Sequence, residues 1–348
     1  MRPTFLAIFV AIVLHCTPSL ACTDSDSTGI DSLGRRYSVY TYNNIEKTYH
    51  APRFYDFGKN IPRDWGEFGR RTATKKGLIT LGAVAVSTAI LITFDQDITD
   101  GTQQFGRWAG IDAERKNFNA ISFKVGGTNV NLLDLPKNPN TTLYFIGEGW
   151  PSIALASGIL VNGLIKHDQR DVLTASQFAE CYIAMGITTQ LIKHCTGRES
   201  PFVATTDGGK WKFFPNQKKY QKSVPKHDAF PSGHMATAMA TVTILSTNYP
   251  EHTYIKPVGY TMMTLIGFAM VNNGVHWVSD YPLAIAIGYT YGKIATSRGV
   301  TIKALQRMGN EKDKGKLTLG PSVMMDGTLG LGLHLNLQSQ SFYSNNKA

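Results

Sequence analysis

The sequence predicts a mainly α protein, a helical bundle with a C-terminal β-hairpin. Three observations predict it. Apolar segments of helical length crowd together over residues 142–165, 171–193, 233–248, 257–272 and 282–296. The tail then changes period: Leu329, Leu331, Leu333, Leu335 and Leu337 alternate with Gly, Gly, His and Asn, the repeat of a strand. The composition suits a large core, with 43% hydrophobic and 17% charged residues over 348 positions. An average soluble chain carries about 25% charged residues, so disorder does not fit and membrane contact is part of the expectation.

Residues 1–21 read as a secretory signal. Arg2 supplies the positive start, Phe5 to Leu14 the apolar run, and Ser19-Leu20-Ala21 the cleavage pattern. The expectation is export, to a periplasmic or membrane-associated place. Cys22 directly follows the cut and suits a lipid anchor, although Ser19 stands where lipoproteins usually carry leucine. Residues 22–76 are polar and aromatic, with Pro52 and Pro62 placed to interrupt helices. They are expected to form an irregular exported arm.

A helical domain is expected over residues 77–300. Gly77 to Phe94 is apolar and near the length of a membrane span. If 77–94, 142–165 and 171–193 all crossed a bilayer from an exported N-terminus, the loop after residue 193 would be cytoplasmic. Arg70, Arg71, Lys75 and Lys76 would then lie outside, against the positive-inside bias. At least one of these segments is therefore expected not to span. Segment 171–193 is amphipathic, with Leu173, Phe178, Tyr182, Met185, Leu191 and Ile192 toward one side and Asp171, Gln177 and Glu180 elsewhere. The loop 202–230 is long and basic, which in a compact domain points to function. Residues 301–348 are a basic linker and a hairpin over 316–338, with Asp326-Gly327 as its turn signal.

The formal net charge of +10 favours anionic partners. The cations are scattered rather than clustered, so no nucleic acid is expected as a partner. Of four cysteines, Cys16 falls in the signal and no CxxC pair exists. Cys181 and Cys195 are expected as buried free thiols, with a disulfide as the alternative. GxxxxGK[ST], HExxH and GxSxG patterns are absent, and neither a metal site nor another cofactor is implied.

Three clusters carry chemistry. The first runs from Lys193 through Arg198 to Pro201, at a helix end. The second is Pro231-Ser232-Gly233-His234, opening an apolar helical segment. The third runs from Gly274 through His276 to Asp280. Ser232 at an N-cap turns the free N–H groups of the next helix toward an anion, and Gly233 lets the backbone approach it. His234 stands beside that anion, placed to protonate a leaving oxygen. Asp280, four residues after His276, suits an imidazole whose tautomer and developing charge need support. Lys193 and Arg198 supply positive charge for phosphoryl oxygens. The chain turns back near Pro250 to Pro257, so His234 and His276 are expected at the same end of the bundle.

In this order the clusters resemble the motifs of the type 2 phosphatidic acid phosphatases, whose superfamily includes bacterial acid phosphatases and vanadium haloperoxidases. The resemblance covers about residues 140–297. It implies a bundle of the acid phosphatase/haloperoxidase type that hydrolyses phosphate monoesters. It further implies His276 as the nucleophile, Asp280 as its orienter and His234 as the general acid. Lys193, Arg198, Ser232 and Gly233 would hold the phosphate. Two positions depart from the family pattern: Ser200 stands where an arginine usually precedes the proline, and Ala269-Met270 stand where Ser-Arg is usual. Arg198, Lys226, His227, Asn272 and Asn273 are the candidate replacements. The expected substrate is a phosphorylated lipid or a small phosphate ester. A non-catalytic phosphate or headgroup binder and a vanadate-holding haloperoxidase are the alternatives.

Overall fold

In a computed structural model, residues 25–114, 116–125, 128–305, 316–323 and 329–336 are described. The signal, Cys16 and Cys22 lie outside these residues. The chain opens with strands β1 (Ser27–Ile30), β2 (Arg36–Tyr42) and β3 (Ile45–His50), joined antiparallel in sequence order, with β6 (Val300–Ala304) on the far edge of β3. Asn43 and Asn44 both adopt positive φ, as a two-residue hairpin turn between right-twisted strands demands. Helix α1 (Asp56–Thr72) follows. The expected irregular arm is thus a sheet and a helix. Pro62 lies inside α1 without ending it, since a proline removes only one backbone bond and the helix resumes beyond it.

Helix α2 (Lys75–Trp108) has 34 residues and starts at Thr74, whose hydroxyl caps the Gly77 amide at 3.0 Å. It runs well past the apolar segment that announced it. Its length and apolar composition are those of a membrane span. A bulged hairpin, β4 (Asn117–Val125) and β5 (Thr128–Pro136), comes next. The segment 142–165, expected as one helix, is two: α3 (Pro139–Gly147) and α4 (Gly149–Lys166), bent by 62°. Glu148 is extended at the break, and Pro151 in the next turn lacks the N–H needed for continuation.

Helix α5 (Gln169–Thr196) begins at the Asp168 cap and ends at Gly197. Gly197 has φ +57°, and a Cβ there would collide with the Lys212 carbonyl. The short α6 (Gln217–Lys222) interrupts the basic loop. Then come α7 (Gly233–Asn248), α8 (Ile255–Asn272) and α9 (Tyr281–Ala295), at the bounds the apolar pattern predicts to within two residues. The core joins Phe178 and Met185 of α5, Met239 and Ile244 of α7, Met263 and Ile266 of α8, and Ile287 and Tyr291 of α9.

Two expectations for α5 need correction. Asp171, Gln177 and Glu180 do not form an outer face: all three are buried, while Leu191 is exposed. Each polar side chain has a partner from another layer. Asp171 accepts from Tyr249 Oη at 2.6 Å, Gln177 from Asn248 Nδ2 at 2.6 Å, and Glu180 from Asn60 Nδ2 at 2.7 Å. Cys181 is buried as expected, but Cys195 is exposed, and both thiols are free. They sit on one helix about 21 Å apart, far beyond the reach of a disulfide.

The C-terminal strands form a separate unit. β7 (Lys316–Val323) pairs antiparallel with β8 (Leu329–Asn336), in a register that sets Leu317 opposite Leu335 and Leu319 opposite Leu333. This is the predicted hairpin. Its Asp326-Gly327 turn and Leu337 lie outside the described residues.

Candidate active site

The ends of three helices meet where the motifs lie. Helix α5 delivers Lys193 in its last turn, α7 starts at Ser232, and α8 hands over to a loop carrying His276 before α9 begins after Asp280. Gly274 makes that loop possible. Its φ is +65°, and a Cβ would press on Phe202.

The two predicted histidines come together. The rings of His234 and His276 lie edge to face with centroids 5.7 Å apart. Tyr144 of α3 packs on the other side of His234 at 4.8 Å. His276 is buried, and its Nδ1 lies 2.8 Å from the Ala229 carbonyl oxygen. A carbonyl only accepts, so Nδ1 carries the proton and Nε2 keeps its lone pair. Asp280 Oδ2 lies farther from the same nitrogen, at 3.4 Å. The expected orienter is therefore present, but the closer partner is a backbone carbonyl.

Asp280 has other ties. Its Oδ2 accepts from the Trp277 amide at 2.8 Å and its Oδ1 from Arg198 Nη1 at 2.6 Å. Its backbone carbonyl accepts from the Ser232 amide at 3.1 Å, which pins the second motif to the third. Ser232 is fully buried and its hydroxyl caps the Met235 amide at 3.4 Å, with Gly233 as the first helical residue. The positive end of α7 thus lies beside His234, as an anion site requires.

The predicted cations fare differently. Lys193 is buried at the site end of α5 and pairs with Asp228 at 3.1 Å. Tyr220 Oη donates to the other oxygen of Asp228 at 2.7 Å. Arg198, expected to hold phosphate, is instead fully buried in the scaffold. Its Nη1 donates to Ser279 and Asp280, and its Nη2 to Asp95 and the Gly208 carbonyl. Four of its five N–H bonds are thereby spent. Its plane also lies over the Trp211 and Trp277 rings, at 4.7 and 5.4 Å.

The departures from the family pattern are filled by buried side chains without charge. Ser200, Ala269 and Met270 are all buried. Asn272 and Asn273 are buried as well, and Asn273 pairs with Asn140 of α3. Lys226 is exposed. His227 is buried and stacks on Tyr220. Burial, with the Lys212 and Lys226 cations nearby, pushes its imidazole below the ordinary value against the pull of Glu199. For Glu199 itself burial works upward, but the Lys212 ammonium and the Lys210 amide outweigh it and hold the carboxylate low.

Two participants escaped the sequence reading. The Ala229 carbonyl leaves no side-chain signature at all. Asp95 did leave a signal, a carboxylate directly after an apolar run, but the sequence offers no way to find its partner 103 positions later.

Residues 174–301 match the model of the PAP2 superfamily. A stretch of 68 residues is 32% identical to a lipid A 1-phosphatase of Porphyromonas gingivalis, covering 19% of this chain and 15% of that protein. The chain thus spans a small part of that relative's length. Two solved structures show a weak likeness. LpxE of Aquifex aeolicus aligns with TM-score 0.35 and 20% identity, over 46% of this chain and 88% of LpxE. A transmembrane PAP2-type phosphatidylglycerolphosphate phosphatase of Bacillus subtilis aligns with TM-score 0.33 and 14% identity, over 62% and 94%. The PAP2 superfamily match thus falls on residues 174–301, the part of the chain that carries the three ordered motifs gathered at one end of the bundle.

Proposed function

We propose that this chain is a metal-independent phosphomonoesterase that acts through a phosphohistidine on a lipid or other envelope-associated phosphate. One observation carries the reading: His234 and His276 face each other 5.7 Å apart, with His276 held by Nδ1 so that Nε2 is the nucleophilic nitrogen. In the proposed course, the Nε2 lone pair attacks phosphorus and the bond to the leaving oxygen breaks. His234 gives that oxygen its proton. The proton stays on Nδ1, donated to the Ala229 carbonyl, and Asp280 offsets the positive charge that the ring acquires. Water then attacks the phosphohistidine, His234 takes a proton from it, and the P–N bond breaks to release inorganic phosphate. Lys193 and the N-terminus of α7 at Ser232 and Gly233 would hold the phosphoryl oxygens.

The lipid part of the proposal has its own support. An apolar groove of about 680 Å³ is lined by Met235, Met239, Met263, Val271 and Val278 among others; Met235 directly follows His234, and Val278 lies two residues after His276. Helix α2 carries exposed Leu78, Ile79, Val86 and Ile90, which favours a place at a membrane. The P. gingivalis relative is named for a lipid phosphatase.

The test is phosphate release from a generic phosphomonoester and from phosphatidic acid, with chelator present. Wild type is expected to turn over, and His276→Ala to lose about 10³-fold or more. Equal activity in the two proteins would remove His276 from the mechanism. A second reading, a phosphate binder without turnover, is favoured by uncharged Ser200 and Met270 and by the engagement of Arg198. Phosphate binding with no release by wild type would select it.

A further inference from the structure

Helix α2 lies outside the region that carries the family match, yet it delivers one charged side chain to the catalytic end of the bundle. Asp95 is fully buried. Its Oδ2 accepts from Arg198 Nη2 at 2.6 Å and from Ser279 Oγ at 2.5 Å, and its Oδ1 accepts from the Ser279 amide at 3.0 Å. Burying a carboxylate costs several kcal/mol unless partners compensate, and here two donor groups of one turn and one guanidinium do so.

The connections lead to His276 in three contacts. Arg198 spans the carboxylates of Asp95 and Asp280, at 2.6 Å from each, with all three side chains wholly removed from solvent. Ser279 belongs to the same turn as Asp280, and Asp95 holds it by both backbone and side chain. That turn sets where the Asp280 carboxylate stands against His276 Nδ1, now at 3.4 Å. A guanidinium shared by two carboxylates also leaves Asp280 less fully neutralised than a private ion pair would.

We propose that Asp95 is a positioning residue for catalysis: through Arg198 and Ser279 it sets the place and charge of Asp280, and so the support that His276 receives. The inference rests on His276 being the nucleophile. It makes α2 a working part of the active site. It also gives Arg198 its function as the link between the two carboxylates.

Asp95→Asn tests it, because the amide keeps the shape and can still accept from Ser279 while the charge is lost. Groups that orient a ligand from behind contribute about 10–100-fold in metal sites, and an effect of similar size is expected here. The expected result is a fall of that size in kcat, with KM changed by less than about threefold, in a variant that melts below wild type but is fully folded at the assay temperature. In an Asp280→Asn background, the same substitution should add less than about threefold, since both act through one group. Independent, multiplicative losses, or a folded Asp95→Asn with wild-type kcat, would overturn the proposal. If Asp95→Asn does not fold, Ser279→Ala removes the hydroxyl's two contacts, to Asp95 and from Arg198, without removing a charge, and an unchanged kcat there overturns it equally. The cycle is also read by orthovanadate binding. A wild type that neither turns over nor binds orthovanadate sinks the phosphatase reading itself, whereas wild-type turnover indifferent to Asp95 sinks this role alone.

Discussion

His276, the proposed nucleophile, shows that a backbone group can be the nearest partner of a buried ring. Its tautomer follows from the Ala229 carbonyl at 2.8 Å, while Asp280 stands at 3.4 Å with both oxygens already engaged elsewhere. Asp280→Asn is therefore expected to slow turnover without releasing the ring, as a pH-independent drop in kcat would show. Lys193 offers a second case. Its ammonium is paired with the partly exposed Asp228, so an incoming phosphate must compete with a carboxylate. A pair of that exposure contributes about 0.2–1 kcal/mol. Asp228→Asn is expected to tighten inhibition by inorganic phosphate by up to about fivefold, and an unchanged inhibition constant would mean that phosphate does not meet Lys193. The seven candidate site residues could be proposed from motif order. The distinct job of Arg198 could not, because a positive charge near a phosphate motif looks the same whether it faces the phosphate or two buried carboxylates.

At the scale of elements, α5 and the α7–α9 pair carry the arrangement. Burial beside Asp64 holds the Glu180 carboxyl well above the usual carboxylate range, against the pull of Asn60 and Arg298. The fold thus favours the neutral acid. That contribution is full below the unfolded pKa of about 4.3 and is lost as pH rises through the raised folded value. Glu180→Gln is expected to raise the melting temperature over wild type at pH 8 and to matter little at pH 4, as thermal melts across pH would show. Helices α7 and α9 cross closely at Gly288, where a Cβ would collide with the Ala236 carbonyl. Gly288→Ala is expected to cost about 1–3 kcal/mol, measured by urea denaturation. Helix ends were legible where caps and glycines mark them, as at Ser232 and Gly197. The break at Glu148 was not, because apolar content continues across it and only the backbone turns.

At the scale of the whole molecule, α2 joins an apolar outer surface to the interior of the bundle. Helix α2 exposes apolar side chains along its length and still donates Asp95 to the interior. Replacing Leu78, Ile79, Val86 and Ile90 together with serine is expected to move the protein out of the membrane fraction, as carbonate extraction would show. Lys75 and Lys76 open α2, about 30 Å along the helix from its site-facing Asp95, and Arg70 and Arg71 close α1 just before them. The N-terminal sheet closes the bundle end where α5 begins. Tyr40 donates to Asp168 at 2.6 Å, Tyr49 to the Asn248 carbonyl at 3.0 Å, and the Arg170 guanidinium lies 3.6 Å over the Tyr40 ring.

Taken by itself, the sequence determined the helical class, the C-terminal hairpin and the three motifs with their histidines. Periodicity, caps and short motifs are local, and a single chain displays them directly. Only the tertiary structure decided what surrounds them. It turned the polar side of α5 inward, made a sheet and a helix of residues expected to be irregular, and joined Asp95 to Arg198. Those outcomes depend on which polar groups find partners far away in the chain. A buried carboxylate and a solvated one look alike in sequence, and the free energy that separates them comes from the partner.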